Sequence, residues 1–367
     1  VKKLIDAMAM LKMNRLHLHL TDDQGWRIEI KRYPKLTEIG SKRKGSQIWG
    51  YLSPVMDNIP VEGYYTKEDM KEIVRYASER QIQIVPEIDM PGHCKAAIAA
   101  YPELGCFNKK FEVPKRFGIH KDVLCPGKES TFEFLYGVLD EIMEIFPYEV
   151  IHIGGDEVPK SRWKRCKHCQ RRIKEEKLKD EKELQVYFTK RIVEYLYEKK
   201  HKAMGWNEVL NGDTKRIIVQ YWHGDERKVI EHIRNEGYTV MSKCWYVYLD
   251  YNYGATPLRK VYSYEPVPDK LEERYHCNIL GLEAPLWTEW VRDTDRLYKA
   301  IFPRLIAVAE VGWIAKEKKD YKRFKIKLPD YLRRLEHIGV GYQNIKDTDP
   351  KNIKRLFMAI KTVFGAM

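Results

Sequence analysis

Val150-Ile151-His152-Ile153-Gly154-Gly155-Asp156-Glu157 is the stretch around which the chain is organised. Its apolar run reads as a buried parallel strand. The two glycines let the backbone turn sharply or approach a neighbour closely. Two acids then stand side by side at the strand end. Adjacent carboxylates raise each other's pKa, so the pair suits acid/base work, one carboxyl protonated and its neighbour charged. A solvated loop in which Asp caps a helix is the alternative for the stretch alone, and the rest of the chain has to decide between them.

Working outward, six more runs read as strands, at 14–21, 82–88, 202–208, 217–222, 239–241 and 279–285. Helical periodicity falls between and after them, at 1–13, 66–79, 95–100, 131–145, 184–198, 229–236, 295–311, 321–337 and 350–363. Thr66 is a candidate cap with Asp69 in the first turn, and Gly237 a candidate stop. Residues 106–126 form a long loop, and 160–182 a basic surface helix with its approach. Alternating strands and helices predict a parallel sheet. Every strand ends in a loop rich in charged, aromatic or histidine residues while its body stays apolar. Polar chemistry at the carboxyl ends of many parallel strands fits a (β/α)8 TIM barrel; an open doubly wound sheet would gather its site at one switch point. Seven strands leave one short. The missing first strand is expected before Val1, in a longer protein of which 1–313 is the barrel domain and 314–367 are helices packed on it.

The 367 residues carry a formal charge of +13, with a pI near 9.1. The basic residues are spread through helices equally rich in Glu, which favours a solvated surface over a nucleic-acid partner. No apolar run is long enough for a membrane span. Localisation stays open between cytoplasmic and secreted, and oligomeric state is not legible. Seven cysteines include one close pair, Cys166-Lys-His-Cys169. A zinc site needs a second pair, none occurs at similar spacing, and no metal or other cofactor is expected.

The strand ends together present Asp22, Asp89, His93, Asp156, Glu157, Trp206, Trp222, Tyr248, Asp250, Trp287 and Glu289. One tryptophan at a strand end is usually core. Three beside several acids suit a sugar, because aromatic faces stack on the apolar side of a pyranose and carboxylates hydrogen-bond its hydroxyls. His17 and His19, alternating within a strand, read as structural.

Six ordered motifs carry a family resemblance: His17-Leu-His-Leu-Thr-Asp-Asp-Gln-Gly-Trp-Arg27, Pro86-Glu-Ile-Asp-Met-Pro-Gly-His93, His152-Ile-Gly-Gly-Asp-Glu157, Gly205-Trp206, Tyr248-Leu-Asp250 and Ala284-Pro-Leu-Trp-Thr-Glu289. From Val1 to about Trp313 the chain resembles the β-N-acetylhexosaminidases of glycoside hydrolase family 20. The resemblance implies a retaining exo-glycosidase that removes terminal β-linked N-acetylglucosamine or N-acetylgalactosamine from oligosaccharides or glycoconjugates, the substrate's own acetamido group serving as nucleophile. It makes Glu157 the general acid and base. Asp156 would hold the acetamido N–H and Tyr248 the acetamido oxygen. Trp206, Trp222 and Trp287 would wall the pocket, Asp250 and Glu289 would bind hydroxyls, and Asp22, Asp89 and His93 would support the acids. The arginine expected on the family's first strand would lie before Val1. Asn207 stands where the family often has Asp, with little consequence expected.

Two other readings are weighed. A catalytically impaired N-acetylhexosamine-binding protein would keep the pocket and lose turnover; retention of both Asp156 and Glu157 speaks against it. A metal-dependent hydrolase would use His17, His19, His93 and Asp156. A chitinase of the other acetamido-assisted family is disfavoured, since its Asp-x-x-Asp-x-Asp-x-Glu motif is absent.

Overall fold

The computed structural model of the chain describes residues 1–50, 52–351, 353 and 355–358. Seven strands form one sheet: β1 (Arg15–His19), β2 (Gln83–Glu87), β3 (Val150–His152), β4 (Lys202–Trp206), β5 (Ile217–Tyr221), β6 (Thr239–Met241) and β7 (Ile279–Leu282). They lie in chain order and every neighbouring pair is parallel. All seven strands expected from the sequence are therefore present. Each connection is a crossover, and the main helices are α1 (Lys2–Met10), α2 (Lys67–Ser78), α3 (Glu129–Ile145), α4 (Glu181–Glu198), α5 (Glu226–Arg234), α6 (Arg304–Trp313) and α7 (Tyr321–His337).

Side chains alternate across a strand, so one set faces the helices and the other the concave face. Ile84, Ile151, Ala203 and Val219 point outward and join the main apolar core, which also takes Met70, Ile73 and Ala77 of α2 and Phe132, Leu135, Val138 and Leu139 of α3. Val85, Val150, Met204 and Ile218 point inward and pack together, with Val240 beside them. Two residues further along the same strands the inward positions turn polar: Glu87, His152, Trp206 and Gln220. An apolar floor thus carries a polar layer at the carboxyl ends.

The sheet curls enough to bring side chains from its two edges into contact. His17 of β1 lies 2.9 Å from Glu283, the residue after β7. The fold is an α/β half-barrel of parallel strands.

Local chemistry sets the element ends. Thr66 and Asp69 form a reciprocal capping box at α2, the Asp69 N–H donating to the Thr66 hydroxyl at 3.1 Å and the Thr66 N–H to the Asp69 carboxylate at 2.8 Å. The expected single helix over 295–311 is instead two, Thr294–Ile301 and α6. The break falls at Pro303, which lacks an N–H and whose ring crowds the preceding turn, although α7 runs on through Pro329. Gly237 is not the left-handed stop of α5: Glu236 takes that position with φ 64°. A Cβ at Gly237 would lie 2.1 Å from the His232 ring, so close packing explains the glycine. Residues 167–175 of the basic stretch form a helix, Lys167–Glu175. In α7, Phe324, Leu328, Leu332 and Leu335 join the main core. Of the helix expected at 350–363, residues 353 and 355–358 are helical and half of the span lies outside the described residues. Among the described residues no helix is long and apolar enough to cross a membrane.

Candidate active site

The site stands on Glu87, a wholly buried carboxylate at the end of β2. Trp206 of β4 donates its indole N–H to Glu87 at 2.9 Å. Three imidazoles crowd the same carboxylate: His19 at 2.7 Å, His17 at 3.0 Å and His152 at 3.0 Å. Burial alone works to protonate Glu87, but the imidazoles of His152, His19 and His17 outweigh it and hold the carboxyl well below its ordinary range. Burial likewise pulls His17 down, and Glu283 and Glu87 more than reverse this, pushing it up to about 10. The β1 histidines expected to be merely structural are therefore the cationic counterpart of a buried anion. Glu87 itself sits in a quoted motif without a role. The signal that marks it is a carboxylate inside an otherwise apolar strand, where only a buried partner makes it tolerable.

Beyond β3 the chain turns over Asp156 and Glu157. Gly154 and Gly155 have φ of 66° and 98°. A Cβ at Gly154 would fall 1.7 Å from an Asp89 carboxylate oxygen, so only glycine lets that carboxylate come so close. The Gly155 N–H donates to the same oxygen at 3.3 Å. Glu157 is held at φ 47° and His93, after Pro91-Gly92, at φ 49°. Non-glycine residues in this region are uncommon and gather at functional sites.

His93 joins the acids. Its Nε2 lies 3.6 Å from Asp156 and 3.7 Å from Glu157, and its Nδ1 lies 3.4 Å from both Asp22 and Asp23. His19 bridges Asp22 at 3.0 Å to Glu87. Burial pushes the Asp156 carboxyl up to about 7, with His93 opposing and Glu87 adding to it. Burial also raises Glu157, again opposed by His93. Asp156 is nearly buried, whereas the Glu157 side chain is about one-third open. Asp156 Oδ1 is buried and has no hydrogen-bond partner among the described residues. A buried carboxylate oxygen left unsatisfied marks a place where a ligand donor fits.

Four rings close a circuit beside this oxygen. Trp206 and Trp222 have centroids 6.4 Å apart, Trp222 and Tyr248 6.3 Å, Tyr248 and Trp287 6.4 Å, and Trp287 and Trp206 6.0 Å. Side chains from four strand ends thus build an aromatic box. Burial pushes the Tyr248 hydroxyl well above its ordinary range, and the Asp156 charge adds to it. Trp222 is set by its neighbours: Asn207 Oδ1 accepts its backbone N–H at 3.0 Å, and Glu208 accepts its indole N–H at 3.2 Å. An oxygen acceptor is what position 207 needs, and Asn supplies it.

Asp250 lies two residues past Tyr248. Burial, with the charge of Glu289 adding, pushes its carboxyl up to about 7. Its Oδ1 is also buried and unpartnered among the described residues. The loop holding Tyr248 and Asp250 hangs on Arg304 of α6, almost wholly buried. Arg304 donates to the Leu249 carbonyl, to the Tyr251 carbonyl at 2.6 Å and to the Thr256 hydroxyl at 2.6 Å. Arg304 and Glu208 were missed by sequence reading, since nothing local marks them.

All of the candidate residues are thus at the carboxyl-end face. Asp156, Glu157, His93 and Asp22 form one network, and the four rings the next. Asp89 lies beneath the acids, whereas Glu289 is linked to the group through the charge of Asp250. Residues 1–316 match the model of glycosyl hydrolase family 20, catalytic domain. The chain belongs to this family. It is 41% identical over 354 residues to a beta-hexosaminidase of Porphyromonas gingivalis, an alignment covering 93% of this chain and 44% of that protein. The family likeness extends to solved structures. A beta-N-acetylhexosaminidase from Bacteroides fragilis superposes with a TM-score of 0.80 at 36% identity, covering 96% of this chain and 71% of that one. A Streptomyces plicatus beta-hexosaminidase mutant in complex with its product GlcNAc gives 0.78 at 32% identity, covering 94% and 66%. The chain spans about half the length of the first relatives it matches, 44% of one and 49% of another.

Proposed function

We propose that the chain is the catalytic part of a β-N-acetylhexosaminidase, which hydrolyses terminal non-reducing β-linked N-acetylglucosamine or N-acetylgalactosamine with retention. An ordinary retaining pair flanks the glycosidic bond with its carboxyls about 5 Å apart, whereas two consecutive acids need not span the bond at all when a third group attacks. Their placement makes sense when the substrate supplies the nucleophile. Asp156 accepts the acetamido N–H, which aims the carbonyl oxygen at the anomeric carbon and balances the charge of the oxazolinium intermediate. Tyr248 donates to the acetamido oxygen. Trp206, Trp222 and Trp287 enclose the acetamido methyl, where an apolar box favours it over water. Glu157 protonates the leaving oxygen, then takes a proton from the water that opens the oxazolinium ring. Asp250 and Glu289 bind sugar hydroxyls. Asp22 and His93 steady Glu157, and Asp89 holds the turn beneath.

The observation that carries this reading is the unpartnered Asp156 Oδ1, next in sequence to an acid one-third open to water and near a box of four aromatic rings. The test is hydrolysis of a β-linked N-acetylglucosamine disaccharide, whose poor leaving group needs a proton, by the chain and by Glu157→Gln. Loss of one acid catalyst costs about 10²–10⁴-fold in kcat for a natural substrate. Wild-type turnover in the variant would remove Glu157 from the reaction. The finer architecture is part of the same proposal. The seven strands belong to a (β/α)8 barrel whose eighth position lies between β7 and β1, supported by the His17–Glu283 contact. The barrel unit is 1–313 and the helical segment 314–367, supported by the packing of α7 on the outer core.

A further inference from the structure

We infer that Cys106, Cys125, Cys166 and Cys169 are the ligands of a structural zinc ion, held in a closed four-thiolate site. The missing second pair exists in space: it is Cys106 and Cys125, from opposite ends of the long loop. The four sulfurs all lie within 4.8 Å of one another. Cys125 Sγ is 3.6 Å from Cys169 Sγ and 3.7 Å from Cys166 Sγ, and Cys106 Sγ is 3.9 Å from Cys169 Sγ. Zinc–sulfur bonds of about 2.3 Å in a tetrahedron require sulfur–sulfur edges of about 3.8 Å. A disulfide requires about 2.05 Å, and all four cysteines are free.

The surroundings fit a closed centre. Cys125, Cys166 and Cys169 are buried and Cys106 half-buried, in a small apolar cluster of their own with Val123, Trp163 and Leu184. Cys166 caps helix Lys167–Glu175 and Cys169 lies in its first turn, a two-residue spacing that aims both sulfurs one way. Gly127 lets the third strand of chain come close: a Cβ there would stand 2.4 Å from the Cys169 nitrogen. The Trp163 indole N–H closes the packing by donating to the Leu124 carbonyl at 2.9 Å. Apolar filling explains a buried cysteine singly, as at Cys94 and Cys244. It does not explain four sulfurs meeting from three chain segments at tetrahedral spacing. Zinc with four thiolates carries a net charge of −2 once the four thiol protons have left. Lys164, Arg165 and Lys167 beside Cys166 place positive charge in the same stretch.

Such a centre would bolt two loops together. Cys106 and Cys125 belong to the β2–α3 connection that also carries His93, and Cys166 and Cys169 to the β3–α4 connection that also carries Asp156 and Glu157. The Leu124 N–H donates to the Pro91 carbonyl at 3.0 Å, tying the bolt to the His93 turn. The inference is independent of the reaction assigned to those residues.

The test is elemental analysis of the chain purified under reducing conditions without chelator. One zinc per chain is expected, with none in Cys125→Ser and an unchanged amount in Cys277→Ser, an exposed cysteine outside the cluster. Because Cys125→Ser can fail to fold, wild type is also stripped and reloaded with Co²⁺, which should give the intense sulfur-to-cobalt absorption of a tetrahedral thiolate site. Stripping should lower the melting temperature by several degrees and Zn²⁺ should restore it. A metal-free chain that gains neither stability nor cobalt absorption on loading overturns the inference. So does iron in place of zinc, or a mass four units low from two disulfides.

Discussion

Replacing Asp156 by Asn should make the chain more stable at pH 8 and much less so at pH 4.5. Burial lifts the folded Asp156 pKa from 3.8 to about 7. Between those values the folded chain keeps a proton that the unfolded chain has lost. The unfolded state then binds fewer protons, so stability falls as pH rises through this window. The penalty is absent below the unfolded value and complete above pH 7. A shift of about three units at roughly 1.4 kcal/mol each sets its ceiling at about 4 kcal/mol. Asn keeps the shape without the charge and escapes it. The value of about 7 is already net of the opposing His93 charge at 3.6 Å, so the loss of that partner subtracts nothing further. The net gain expected at pH 8 is therefore about 4 kcal/mol, shrinking to about 1 kcal/mol at pH 4.5. Urea denaturation of both chains at the two pH values measures it. A variant that is less stable at pH 8, or whose advantage does not grow with pH, refutes the claim that the fold holds this carboxylate against its own stability.

Gly154→Ala should lower stability by at least about 2 kcal/mol, since it adds left-handed strain of about 1–2 kcal/mol to a clash with Asp89. Gly63→Ala, where a Cβ meets nothing within 4 Å, is the control and should change the melting temperature little. Arg304→Met should cost about 3–5 kcal/mol, because it leaves the Leu249 and Tyr251 carbonyls buried without their donor. A thermal melt checks it, and hydrolysis assays on surviving protein should show a raised KM as the Asp250 loop loosens.

Six of the seven strands were legible as short, mostly apolar runs closed by polar residues, and β1 by leucines alternating with histidines. The Asp156–Glu157 pair was legible because both acids and both glycines are contiguous. What escaped depends on distance along the chain. Glu87 meets His152 and Trp206 only after the sheet has curled, so β2 read as apolar with an incidental acid. Arg304 lies 53 and 55 residues from the Tyr251 and Leu249 carbonyls it holds. The sulfurs of Cys125 and Cys166 are 41 residues apart, and no spacing rule joins them. At Pro303 the proline outweighs a favourable hydrophobic period, whereas at Pro329 α7 continues through one, so the period alone does not place the break.

The proposed chemistry needs Asp156 charged and Glu157 protonated, yet in the free chain burial keeps the proton on Asp156 up to about pH 7. Glu157 is raised as well, but it is one-third open to water. Substrate can put the protons in order. An acetamido N–H on Asp156 Oδ1 satisfies the orphaned oxygen and stabilises the charged form, lowering that pKa. The sugar also covers Glu157, and the newly charged Asp156 beside it raises the Glu157 pKa further. Binding thus moves the two groups apart in the direction turnover requires. The free enzyme's ionisations appear in kcat/KM and those of the complex in kcat. The acid limb of kcat/KM should therefore lie near pH 7 and that of kcat lower, and Asp156→Asn should lose the acid limb from both. Profiles measured across pH 4–9 with an aryl N-acetyl-β-glucosaminide decide it: coincident acid limbs would mean that the substrate amide leaves the Asp156 proton where it was.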